Sequence, residues 1–312
     1  MRARRTILVA AAFLVLPIAA HAQAFRTYLA SYGNDGNAGC TVTAPCRLLP
    51  AALNAVLDGG EIWILDSANF NAGTVNINKS VSIMAVPGQI ASIASAGGGP
   101  AIAITTPNLK IGLRNIVIPK NANNPGTQGI DISSSGVLSV EDCLFTNLAY
   151  NGIYAHGAAS VVHVKNSVFR NITAYSVWAE NGPTVNITNS QMLSSNGALA
   201  YATTASTTKV SVTDSTISGA GEGVYAYSTV AGAVVKIFVT RSTLDNLAYG
   251  LDSETAGSGT GSATIYVGGS TISDSGYGWM IYNTGAAIVS HGNNQFSGNT
   301  STNGSMTFNS LQ

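Results

Sequence analysis

The sequence predicts an all-β solenoid, in which coils of three short parallel strands stack on one another behind an N-terminal capping helix. Two observations carry the prediction. A small residue, preceded by an alternating apolar pair and followed by a large apolar residue, recurs at Ile116, Cys143, Ser167, Ser190, Ser215, Ser242, Ser270 and Asn294, at spacings of 27, 24, 23, 25, 27, 28 and 24 residues. Units of that size cannot bury a core alone and do so by stacking. Only 9% of the residues are charged, while 46% are hydrophobic and 34 of 312 are glycine. That balance suits strands joined by frequent corners better than helices with charged surfaces.

Residues 1–22 read as a cleaved secretory signal. Arg2, Arg4 and Arg5 precede an apolar run from Ile7 to Ala20, and Ala20-His21-Ala22 offers a small-x-small cleavage site. The run is short for a bilayer span, and no later stretch is long and apolar enough to cross a membrane. The expected location of the mature chain is therefore secreted or periplasmic. Without those three arginines, eleven basic residues face fourteen acidic ones, which leaves no electrostatic footprint for nucleic acid. Residues 23–60 form a turn-rich segment and the capping helix. Cys40 and Cys46 lie close together there, so a local disulfide is expected in an exported protein. Cys143 sits where other coils carry serine, and is expected as a buried small residue. Leu48, Leu49, Ala52, Leu53 and Val56 follow helical spacing within Pro45–Asp58, and Gly59-Gly60 ends the helix. Glu61–Leu65 then reads as the first strand of a solenoid over residues 61–312, which closes with a polar segment from Asn293.

Positions five and three before each marker run from Ile111 and Leu113, through Val162 and Val164, to Ile265 and Val267, and end with Val289 and His291. Fifteen of these sixteen are apolar, and period-two alternation marks a strand with one buried face. The residue before each marker is Asn, Asp or Gly except at Arg241, as a left-handed corner requires. Two residues after each marker, from Ile118 to Phe296, a large apolar side chain opens a second inward strand. A third follows at Ile130–Ser133, Ile153–His156, Val177–Glu180, Ala198–Tyr201, Val224–Tyr227, Leu251–Glu254 and Trp279–Tyr282. A sandwich of hairpins would show two-residue turns and no such ladder.

With the first residue of each third strand pointing inward, two outward columns climb the solenoid. One is Asp131, Tyr154, Trp178, Leu199, Tyr225, Asp252 and Met280; the other is Ser133, His156, Glu180, Tyr201, Tyr227, Glu254 and Tyr282. Half of the fourteen are Tyr, Trp or His, against 7% aromatic residues in the whole chain. Aromatic faces stack on the C–H face of a sugar, and carboxylates bond its hydroxyls. Tyr154, Trp178, Tyr201, Tyr225, Tyr227 and Asp131 are the candidate substrate-binding residues. Asp252, Glu254, Glu180 and His156 are the candidate catalytic ones. Asp252 and Glu254 share one side of a strand at about 6–7 Å, near the roughly 6.5–9.5 Å of an inverting carboxyl pair, and His156 and Glu180 stand on neighbouring rungs, where they could share a proton. Mutual stacking of the rings is the alternative role.

The helix segment with Gly59-Gly60-Glu61-Ile62-Trp63-Ile64-Leu65 resembles the opening of the pectate-lyase-like superfamily of right-handed parallel β-helices. Ala30-Ser31-Tyr32-Gly33-Asn34-Asp35, with Cys40 and Pro45-Cys46, resembles an exported bacterial group mostly without assigned activity. The resemblance covers the mature chain and implies the fold, which hosts lyases, hydrolases, epimerases and adhesins. The Asn-Thr-Asp, Asp-Asp, Gly-His-Gly and Arg-Ile-Lys motifs of polygalacturonases are missing, and no acidic cluster lies near Arg170 or Arg241. No zinc-ligand spacing or phosphate loop occurs, so neither a metal nor a cofactor is expected. Two readings follow: an exported protein that binds a polysaccharide or cell-surface glycan, with processing left open as a glycoside hydrolase or lyase, or a non-catalytic structural or adhesive solenoid of the cell envelope. The sequence leaves the oligomeric state open.

Overall fold

The computed structural model describes residues 23–309 apart from 220, 258 and 260; the expected signal segment lies outside the described residues. Among those residues the strands sort into three parallel sheets of 12, 9 and 10 strands. From Val81 to Asn303 each coil contributes one strand to each sheet, and up to the last coil the register is the one the repeat predicts. In the first sheet Leu113, Val140, Val164, Ile187, Val212, Val239 and Val267 pair rung to rung, and all are buried. In the second, Ile118, Phe145, Phe169, Met192, Ile217, Leu244 and Ile272 do the same. Phe145 and Phe169 stack at 4.5 Å. Burying these files is what stabilises coils that have no core of their own.

The corner between the first two strands shows why its residues are Asn, Asp or Gly. Asn115, Asp142, Asn166, Asn189, Asp214 and Gly269 all have φ between 49° and 62°. Arg241 adopts φ 47° as well, and its guanidinium forms a two-pronged ion pair with Asp214 on the rung before, both bonds at 2.8 Å. The marker serines form a buried ladder. Each Oγ donates to the carbonyl two residues back and accepts the marker N–H of the preceding coil, as when Ser190 N donates to Ser215 Oγ at 3.1 Å and Ser215 Oγ to Thr213 O at 2.8 Å. Cys143 closes this ladder, its Sγ 3.2 Å from Glu141 O.

Three local expectations are corrected. The capping helix is Leu49–Ala55, shorter than Pro45–Asp58. Val56 fits the helical spacing but turns to extended backbone and begins the strand Val56–Ile64, which absorbs Gly59 and Gly60. The first strand is not Glu61–Leu65 but Ala24–Leu29, which pairs with Val56–Ile64 and caps the edge of the first sheet. In the last coil the inward residues are Ile288 and Ser290, not Val289 and His291. An extra residue in that corner shifts the count, and its left-handed position is Gly292 in place of Asn293. The cap is fixed by the expected Cys40–Cys46 disulfide and by Asp35, whose Oδ1 accepts from the backbone N–H groups of Arg47 and Leu48 at the helix start.

Candidate functional site

The outward face of the third sheet carries the candidate residues in one register. Asp131, Tyr154, Trp178, Leu199, Tyr225, Asp252 and Met280 are partners across successive strands. Glu180, Tyr201, Tyr227, Glu254 and Tyr282 form the second column, and His156 follows the strand Ile153–Ala155 directly. Period-two alternation points both columns away from the file of Ile153, Val177, Ala198, Val224 and Leu251 beneath them.

The rings contact one another both between rungs and along single strands. Tyr201 and Tyr227 stack at 5.3 Å, Tyr225 and Tyr227 at 5.5 Å, and Tyr154 and His156 at 4.3 Å. Trp178 is ringed by Tyr150, Tyr154, Tyr175 and Tyr201 at 5.4–6.3 Å, none of them parallel to it. Its indole N–H is buried and finds no partner among the described residues.

The polar groups pair across rungs. His156 Nε2 lies 2.9 Å from Asp131 Oδ1. Tyr154 Oη donates to Glu180 at 2.5 Å, Tyr225 Oη to Glu254 at 2.7 Å, and Tyr175 Oη to Glu222. His156 and Glu180 are thus each engaged with another residue and do not share a proton. Burial first, then the partner carboxylate, pushes the phenols of Tyr154, Tyr175 and Tyr225 above the usual range, so each stays a donor at neutral pH.

Glu222 and Tyr175 were not among the sequence candidates. The third strands begin two residues earlier than the repeat pattern places them, at Tyr175, Asn196, Glu222, Tyr249 and Tyr277, and extending the alternation back by one step would have found this third column. Tyr249 and Tyr277 stack within it at 5.3 Å. Glu222 matters because it joins Asp252 and Glu254 in a cluster of three acids.

Asp252 lies in an outward column, yet only 5% of it reaches solvent, and its Oδ1 has no hydrogen-bond partner among the described residues. Burial, followed by the charges of Glu222 and Glu254, pushes its carboxyl up to about 7. Glu222 shifts the same way, through burial and the charge of Glu254, against the opposing bond from Tyr175. The face therefore presents a neutral-pH acid, Asp252, two positions along the strand from Glu254, a hydrogen-bonded carboxyl. Two carboxyls in unlike surroundings can divide the acid and base roles of one reaction. Beside this face a polar hollow of about 440 Å³ opens at the bend into the third sheet, lined by Asn171, Thr173, Ser194, Asn196 and Gly221 among others.

Known proteins place this architecture. No curated protein matches the chain. Pectate lyase Pel9A resembles it with a TM-score of 0.61 at 15% identity, over 93% of this chain and 78% of that one. The GH136 lacto-N-biosidase of Eubacterium ramulus does so at 0.51 and 11%, over 92% and 68%. A variant of the PL6-family alginate lyase AlyGC gives 0.55 and 13%, over 91% of this chain but 39% of that one. Identities this low show a shared fold alone. Residues 100–260 match the model of the right-handed β-helix region, and the chain belongs to that family.

Proposed function

We propose that the third sheet binds an extended polysaccharide along the solenoid axis, and that Asp252 and Glu254 act on it as proton donor and proton acceptor. The observation that supports this most is the register itself: aromatic rings and carboxyls occupy adjacent outward columns over successive rungs of one sheet. A repeating ligand meets a repeating surface there, with rings for sugar faces and carboxyls for hydroxyls. The solved structures that share the fold carry names of saccharide lyases and a glycosidase, which agrees with a saccharide ligand. The expected signal segment puts this activity outside the cytoplasm.

The structural reading has an observation of its own: tyrosines pack edge-on against Trp178, and three of the carboxyls are bonded to tyrosines of the same sheet. Binding to plant, algal and bacterial polysaccharides, with Trp178→Ala and Tyr225→Ala, separates the two. At least a tenfold loss in these variants supports the track, and unchanged binding rejects it. Turnover abolished by Asp252→Asn supports catalysis, whereas turnover untouched by Asp252→Asn, Glu254→Gln and Glu180→Gln removes these residues from any reaction.

A further inference from the structure

Charge is shared unevenly among the sheets of this solenoid. Among the described residues, the strands of the third sheet carry Asp131, Glu180, Glu222, Asp252 and Glu254, and no lysine or arginine. The first sheet carries both signs, with Arg26, Lys110, Arg114, Lys165, Lys209 and Lys236 beside Asp58, Glu61 and Glu141 on its strands. On the strands of the proposed binding face, therefore, every charged Asp, Glu, Lys or Arg side chain is an acid. Three of its acids crowd together, and one of them, Asp252, is 5% exposed with an unpaired carboxyl oxygen.

We infer that the glycan this face takes carries free amines and no carboxylates, an amino-sugar polymer and not a polyuronate. The inference rests on the third sheet being the binding face. A uronate on every sugar would bring like charge to each acid-bearing rung, and an unpaired like charge at a contact is a strong rejecting element. A protonated amine does the reverse. It donates charge-assisted hydrogen bonds to carboxyls such as Glu254 and is attracted to the faces of Tyr201, Tyr225 and Tyr227 beside the acids. Carboxyls interleaved with aromatic rings are the general chemistry of cation recognition.

The test uses the mature chain and three short soluble oligomers in mildly acidic buffer, where amines are protonated: a chitosan oligomer, the same oligomer N-acetylated to block its amines, and a polygalacturonate oligomer with and without calcium. The expected order is chitosan at least about tenfold tighter than its acetylated form, a difference of about 1.4 kcal/mol, with polygalacturonate weakest. Glu254→Gln and Glu222→Gln should shrink the amine preference to about threefold or less, while Glu141→Gln, an acid on the first sheet, should leave it intact. Polygalacturonate binding as tightly as chitosan, with or without calcium, overturns the inference. So does an amine preference that survives both glutamine substitutions. If both forms of chitosan bind equally, the amine inference fails and the binding face stands. If no oligomer binds, the face falls and the inference with it.

Discussion

Replacing Asp252 with asparagine should make the protein harder to unfold than the wild type at pH 8, and that advantage should disappear in acid. Asp252 keeps its proton in the folded chain up to about 7, against 3.8 as its ordinary value. Below the ordinary value both folded and unfolded chains are protonated, and the stability this group contributes is fully present. Between the two values the folded chain holds one more proton than the unfolded one, so the unfolding free energy falls as pH rises, by about 1.4 kcal/mol per pH unit. The loss is complete once pH passes the folded value and amounts to roughly 4 kcal/mol. Asparagine has the same shape, does not titrate, and offers an N–H to Glu222 or Glu254. Urea unfolding followed by tryptophan fluorescence, from about pH 4 to pH 8, gives both curves. The gap between variant and wild type should change by roughly 4 kcal/mol over that span. A gap that stays constant would show that Asp252 is solvated and ionised like a surface carboxylate, and would end its role as a proton donor.

Removing the hydroxyl in Ser215→Ala leaves the buried Ser190 N–H without a partner, while the Thr213 carbonyl keeps its bond from the Asn189 N–H. A loss of about 2 kcal/mol is expected, with faster hydrogen exchange at the Ser190 amide, and an unchanged exchange rate would deny the ladder. Gly223→Ala places a methyl 2.4 Å from the Gly250 carbonyl oxygen and 2.9 Å from Leu244, so a loss of about 3 kcal/mol or more is expected; Gly73→Ala, where the added carbon meets nothing within 4 Å, should be silent. The Cys143 thiol, pushed up to about 12 by burial, should resist thiol reagents at pH 8 until the chain is unfolded, and Cys143→Ser should extend the serine ladder at a change within about 1 kcal/mol.

The files of the core were legible because inward Val, Ile and Leu recur at one offset from a small residue, and stacking leaves no other use for that recurrence. The same logic failed where composition was ambiguous. Val289 is as apolar as Ile288, so the pattern could not register the extra residue in the last corner. Val56 satisfies a helical spacing as well as a strand. At the candidate site, alternation identified the columns of Tyr154 and Glu254 but not the column of Tyr175 and Glu222, because a polar bend hides where a strand begins. The burial of Asp252 was not legible at all. Exposure on an outward column depends on the long side chains of the rungs on either side, and a period-two pattern describes only the strand itself.

Because every strand pairs with the equivalent strand one coil back, as Val210 does with Val185, the surface on which a new coil docks already exists when that coil is synthesised. Each addition closes a loop of the same modest size, so no step waits for a distant part of the chain. The origin of this growth is the edge built from Ala24–Leu29, the short helix and the Cys40–Cys46 bond. Chains shortened from the C-terminus at a corner should therefore remain as shorter ordered rods by far-ultraviolet circular dichroism. Chains that lack residues 23–64 should collapse or aggregate, having lost the template on which the first rung is laid.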